Sequence, residues 1–195
     1  MKKFELTSEF VTFLGKKLFR IKALISFGNV EEGELGGYVE KEENLSNDGN
    51  AWVSGDAWVC GNARVYGNAW VSGDAWVCGN ARVYGDARVY GDAEVYGNAR
   101  VYGDAVVCGN AWVYGDARVY GDADYATVHG FGSEYRTTTF FRTKAGDIGV
   151  RCGCFYGTLE EFRAKVKETH GETKTAKEYL MVADLMEFRF LKEEA

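Results

Sequence analysis

Hydrophobic and polar positions along residues 50–121 recur with a fixed period of six. The chain reads NAWVSG, DAWVCG, NARVYG, repeats those three units unchanged, and continues DARVYG, DAEVYG, NARVYG, DAVVCG, NAWVYG, DARVYG. All twelve units have the form [ND]-A-x-V-x-G. Ala and Val two apart lie on one face of a strand, and the variable residues lie on the other. Gly followed by Asn or Asp supplies a corner, because this pair turns sharply and tolerates positive φ. Each unit therefore predicts one short strand and one corner. Residues 50–67 and 68–85 are identical, so the larger unit is eighteen residues, or three strands and three corners. Three facets close a triangular coil, and stacked coils pair backbone to backbone about 4.8 Å apart. Repetition at a fixed period names the architecture ahead of any local propensity.

The phase of the repeat runs back from Ala51 to Leu45 and Val39, and forward to Val119 and Ala123. About five coils are expected over residues 38–127, with Val and Ala inside. Before them, Phe10, Thr12 and Leu14 alternate, Gly15-Lys16 turns, and residues 17–21 run back as a hairpin. A polar turn with Gly33, Gly36 and Gly37 follows. An open solenoid end exposes unpaired backbone, so this unit (1–37) is read as a cap. Behind the coils, residues 137–143 and 148–156 read as two strands around a turn at 144–147. Thr158-Leu159-Glu160-Glu161 is a capping box opening a helix that ends at His170-Gly171. A second helix from near Thr175 buries Tyr179, Leu180, Ala183 and Met186. The expected fold is mainly β: a parallel β-helix of hexapeptide repeats (38–127), an N-terminal β-hairpin cap (1–37) and a small C-terminal α+β unit of ββαα order (128–195).

Stacking turns the variable positions into columns. One facet carries Trp52, Trp70, Arg88 and Val106, the next Trp58, Trp76, Glu94 and Trp112, and the third Arg64, Arg82, Arg100 and Arg118 beside Tyr66, Tyr84, Tyr102 and Tyr120. All five tryptophans are thus expected to point outward, on two adjacent facets. A patch of that size calls for a cover, either the chain's own flanks or another subunit.

Net charge is −6, so neither nucleic acid nor an anionic membrane is an expected partner. No stretch has the apolar length that crosses a bilayer. The opening MKKFELTSEF lacks the apolar core of a secretory signal. Five cysteines without such a signal point to a reducing cytoplasm and free thiols. Cys60 and Cys78 stack on neighbouring coils, near enough to bridge in principle, and are also read as free.

An aliphatic residue with a small residue four positions on (Val53 and Ala57, Val59 and Ala63, Val65 and Ala69) resembles the left-handed parallel β-helix of hexapeptide-repeat proteins. Handedness comes from that resemblance. With LFRIKALISFGNVEEGELGGYVEKEENLS (18–46) and TTTFFRTKAGDIGVRCGCFYGTLEEFRAKVKETHG (137–171) beside the repeat, the chain resembles hexapeptide-repeat proteins of phages and prophages, of the kind labelled polymer-forming or putative transferases. The resemblance implies a bacterial host cytoplasm, a homo-oligomer with a trimer favoured over a dimer, and for some such proteins the sequestering of nucleotide signals of host defence.

Hexapeptide-repeat acyltransferases carry a histidine base on a loop inserted between coils. This chain has only His129 and His170, and its twelve units carry no insertion. His129 is the one weak catalytic candidate; His170 reads as a helix-end residue. Cys152-x-Cys154 lacks the second pair a zinc site needs, and on one strand both thiols would pack inward. No metal or cofactor is expected. The Arg64–Arg82–Arg100–Arg118 row, with Tyr84 and Tyr102 beside it, is one candidate anion-binding surface. Ser133, Arg136, Thr138 and Arg142, with Lys144 and Arg151 nearby, form a second, a basic lip for a phosphorylated ligand. The reading is a non-catalytic, oligomeric binding protein that sequesters a small anionic, nucleotide-like ligand. The alternatives are an acyltransferase using acetyl-coenzyme A and a purely structural scaffold.

Overall fold

A computed structural model of the chain describes residues 2–190. Strand β1 (Phe4–Phe13) and strand β2 (Lys16–Ala23) form the hairpin, and β3 (Leu35–Val39) follows. Twelve two-residue strands come next, from β4 (Trp52–Val53) to β15 (Arg118–Val119). Each pairs in parallel with the strand eighteen residues away, giving three facets. With β3 set against Trp58–Val59 and Leu45 bridged to Val65, the stack makes about five turns. The repeat's Ala and Val residues between Ala51 and Val119 fill the interior, essentially without exposure. Corner glycines lie directly over one another. Gly85 sits at φ +74°, and a Cβ there would come within 2.9 Å of the Gly103 carbonyl oxygen, which explains the invariance of Gly within the repeat.

The hairpin is continuous with one facet, because β2 pairs antiparallel with β3. Gly36 and Gly37 therefore stand inside a strand, not in the expected turn. A Cβ on either would lie 2.5 Å from a carbonyl oxygen, of Val53 or of Ala57. The repeat's phase also ends one interior position early, at Val119: Ala123 is exposed, in a 3₁₀ turn over Asp122–Asp124.

Successive residues of each strand aim their backbone groups alternately up and down the stack. The amides of the residues between Ala and Val point to the C-terminal end, as in Trp52 N–H to Ala69 O (3.0 Å), and the Ala and Val carbonyls to the N-terminal end. Each end coil therefore has backbone groups with no further coil to pair with. Chemistry at the two ends matches. At the N-terminal end, buried Lys3 donates through Nζ to Ala51 O (2.8 Å) and Gly49 O (3.3 Å), and the Glu40 carboxylate accepts from Gly61 N–H (2.6 Å). Buried Asn44 donates through Nδ2 to Ala63 O (2.8 Å) and Gly61 O (3.2 Å). At the C-terminal end the acceptors are the Asp122 carboxylate for Val106 N–H (3.0 Å), Thr139 Oγ1 for Trp112 N–H (2.9 Å) and Asp124 for Tyr120 N–H (2.9 Å), and Lys144 N–H donates to Asp116 O (3.0 Å).

The tryptophans do not stand open to solvent. Trp52 is fully buried under Phe27, with ring centroids 5.4 Å apart. Trp58 and Trp76 stack at 5.0 Å, and Phe13 at the end of β1 lies on both, at 5.0 and 4.9 Å. The Arg151 guanidinium covers Trp112 at 5.0 Å, and Trp70 is half-buried, its indole N–H donating to Ser54 Oγ (3.1 Å). The chain's own flanks supply most of the cover. Cys60 and Cys78 form a disulfide, correcting the free-thiol expectation: stacked coils place their Cα atoms 4.7 Å apart, within disulfide reach.

The C-terminal unit is a four-stranded antiparallel meander, β16 (Tyr125–Val128), β17 (Thr138–Arg142), β18 (Ile148–Cys152) and β19 (Phe155–Thr158), followed by α1 (Leu159–His170) and α2 (Lys174–Phe190). Its order is ββββαα, not ββαα, because Gly153 at φ +56° breaks the expected long strand. The Thr158–Glu161 capping box forms reciprocally, at 3.2 and 2.8 Å. Phe141 is fully buried in the solenoid core and closes the last coil, while Phe140 faces the helices with Phe162 and Tyr179. The described residues contain no helix long and apolar enough to cross a membrane.

Candidate functional site

The second facet carries Trp58, Trp76, Glu94 and Trp112 in register, so the third coil has a carboxylate where its neighbours have an indole. The C-terminal unit overhangs this step through the loop between β16 and β17 and through the tight β18–β19 turn. Between them lies a cleft of about 720 Å³, lined by Asp92, Glu94, Asn110 and Trp112 from the coils and by His129, Tyr135, Arg136, Thr137, Arg151, Gly153 and Cys154 from the overhang.

Arg151 organises its floor. The guanidinium lies over Trp112 at 5.0 Å and Tyr114 at 5.4 Å, and Nη1 donates to Phe155 O at 3.3 Å. Its Nε–H is buried and has no partner among the described residues. Burial beneath the overhang raises the Glu94 carboxyl above the usual carboxylate range, and the Arg151 charge opposes that rise. Arg136 stands exposed at the rim, 3.6 Å from Glu134. His129 places Nδ1 3.1 Å from Thr137 Oγ1. Tyr135 beside them is held at φ +50° and is 70% exposed, an unusual conformation for a bulky residue at a cleft mouth. One indole face, two guanidiniums, an imidazole and a half-buried carboxyl raised by burial thus face one volume. That set suits a small anion carrying a flat ring with polar edges.

The sequence-derived candidates divide. Arg136 and His129 meet in the cleft, with Ser133 exposed on the same loop. Thr138 is buried, its hydroxyl donating to Cys152 Sγ (3.2 Å), and takes no part in a lip. Arg142 lies on the helix side of β17, paired with Asp124 (3.3 Å) and donating to Phe190 O (2.6 Å); it ties the C-terminal unit together. Cys152 and Cys154 do not share a strand face: Cys152 is half-buried near the Tyr179 hydroxyl, and Cys154 is exposed in the cleft wall. Burial, then the neighbouring Cys152, pushes that Tyr179 hydroxyl up to about 12.

The arginine row has the expected order. Tyr66, Tyr84 and Tyr102 stack beside it at 4.8 and 5.1 Å. Arg118 folds back, Nη1 donating to Ala117 O (2.8 Å), Asn98 O (3.1 Å) and Asp116 O (3.2 Å). Arg64, Arg82 and Arg100 form none of the ion pairs of the described residues. Arg64 and Arg82 border an open groove of about 550 Å³ whose other wall carries Glu42 and Glu43, an acidic wall that weakens it as an anion site. Glu94 and Trp112 were missing from the sequence-derived site. The signal was present: Glu is the single charged residue in a column otherwise made of Trp. No group of three or more His, Cys, Asp or Glu among the described residues is placed to hold a metal ion.

Residues 57–73, 63–79, 75–91, 81–95 and 93–109 match the YdcK beta solenoid repeat. Together with the stacked coils, this makes the chain a β-solenoid repeat protein; the match lies wholly within the coils and leaves both flanking units outside it. No curated protein matches the chain.

Proposed function

We propose that the protein is a binding protein that holds a small anionic, nucleotide-like ligand in the cleft between the second facet and the C-terminal unit, without turning it over. The observation that carries this reading is the convergence of Arg136, Arg151 and His129 on one volume walled by Trp112 and Glu94. Arg136 and His129 face the anionic group at the rim. Trp112, already under Arg151, forms the stacking wall, and Glu94 meets a polar ring edge. Most of these groups sit on strands or tight turns, so little ordering is needed on binding. Sequestration of a nucleotide signal, the role implied by the phage resemblance, is the use this reading assigns to the site.

Calorimetric titration with mononucleotides, cyclic nucleotides and acetyl-coenzyme A tests it. The expected result is saturable binding of at least one nucleotide, weakened tenfold or more by Arg136→Ala and unaffected by Arg82→Ala with Arg100→Ala. Binding that follows the arginine row, or no binding by any nucleotide, overturns the assignment. The presence of His129 in the same cleft favours one second reading, acyl transfer from acetyl-coenzyme A. Transfer activity abolished by His129→Ala would put that reading in its place.

A further inference from the structure

Helix α2 is apolar on two sides. Ala176, Tyr179, Val182, Ala183, Met186 and Phe190 are buried against the sheet and α1. On the opposite side Met181, Leu185 and Phe188 are 71%, 58% and 76% exposed. Spacings of four and three residues set these three side chains in one stripe along the helix. The coil tryptophans are covered by the chain's own aromatic and cationic side chains, whereas no described residue covers this stripe.

We infer that the stripe pairs with the same stripe on a second copy of this chain, with the two α2 helices antiparallel about a two-fold axis. A two-fold interface must be self-complementary. Setting Met181 against Leu185 of the second copy also sets Leu185 against its Met181, so both layers are apolar. At 100° per residue Glu178 and Arg189 fall on the same flank of the stripe. In the antiparallel register they come level, about 1.5 Å apart along the axis, so each end of the seam gains an opposite-charge pair. A parallel pairing would instead put the two copies of this flank on opposite sides of the seam, where Glu178 and Arg189 gain no such pair. Both side chains have little to lose: among the described residues Glu178 pairs with the exposed Lys174, at 3.7 Å, and Arg189 donates to the Asp122 carbonyl, at 3.4 Å. The seam is one seventeen-residue helix long, smaller than a standard permanent interface, so the dimer is expected to be reversible.

Sedimentation of the full chain over a concentration series tests this. The expected result is a monomer–dimer equilibrium that Leu185→Glu with Phe188→Glu shifts at least tenfold towards monomer, with circular dichroism unchanged and, at dilutions where the parent is monomeric, the same melting temperature, because both residues are exposed. Glu178→Arg or Arg189→Glu alone weakens association several-fold, and the two together restore it. A chain that stays monomeric throughout, a trimer, or a dimer indifferent to Leu185→Glu with Phe188→Glu overturns the proposal. A double charge swap as weak as either single one overturns the antiparallel register.

Discussion

Single residues carry the solenoid's electrostatics. Lys3 caps carbonyls that would otherwise be orphaned, and burial pulls its ammonium from 10.5 down to about 8, against the pull of Asp48. Between those values the unfolded chain holds the proton and the folded chain does not, so stability rises with pH across that window and is lost as pH falls through about 8. The full shift corresponds to roughly 3 kcal/mol. Tyr125 and Tyr179, raised by burial, act in the other direction above pH 10, since stability held by a raised acid is lost once its unfolded value is passed. Melting temperature is therefore expected to climb between pH 8 and 10 and then fall, and Lys3→Met should remove the climb. A flat profile in the parent chain would show that the ammonium is solvated. Glu94 behaves as a raised acid at lower pH: its contribution is present below about 4.5 and lost as pH rises through its folded value. Glu94→Gln is expected to raise the melting temperature by a degree or two at pH 7 and to leave it unchanged near pH 4, measured by calorimetric scanning.

Among the elements, those built from periodic residues were legible in the sequence and those built by tertiary cover were not. The strands and corners of the coils followed from Ala, Val and Gly at a period of six, and the α1 start from Thr158 and Glu161. Gly36 and Gly37 were misread as a turn, because the same absence of a side chain that suits a turn also lets β3 approach Val53 and Ala57. The split of the 148–156 strand rested on the positive φ of one residue, Gly153, with no patterned neighbour to announce it. Outward tryptophans were identified correctly as a surface needing a cover, but sequence spacing carried no information on which distant aromatic supplies it. Half of the candidate site was legible: Arg136 and Arg151 drew notice as basic residues and His129 as one of two histidines, while Glu94 and Trp112 joined them only through the overhang. The β1–β2 hairpin tests the cover directly. Phe13 bridges Trp58 and Trp76, and each aromatic pair adds about 0.5–1.5 kcal/mol beyond area burial. Phe13→Ala is expected to lower the melting temperature by about 5 °C and to shift tryptophan emission to the red as the two indoles meet water. Unchanged emission would mean that the hairpin contributes no cover.

At the scale of the whole molecule, the chain is a polar stack closed by two unlike ends. The N-terminal end is closed by Lys3 and Asn44 as donors with Glu40 as an acceptor, and the C-terminal end by Asp122, Asp124 and Thr139 as acceptors with the Lys144 amide as a donor. Between the caps each coil touches only its neighbours, so stability is a sum of coil and interface terms and length is free to change in whole coils. A third copy of residues 68–85 placed after Gly85 repeats a coil already present twice. It adds one layer of about 4.8 Å and leaves every column in register. That chain is expected to fold with a melting temperature no lower than the parent and a solution scattering profile longer by one coil. Six residues, NARVYG, placed after Gly67 keep the same hexapeptide rule but turn all that follows by one facet. Trp70 then takes the place of Trp76 on Trp58, so the hairpin keeps two rings to cover, but Ser72 replaces Cys78 beside Cys60 and Cys78 replaces Tyr84 on Tyr66. The interior stays Ala and Val, so the coils still form, but the melting temperature is expected to fall by several degrees and the disulfide to be lost. Equal melting temperatures for the two insertions would mean that the side-chain columns add nothing to the stack, and that its stability resides in the backbone ladder and interior alone.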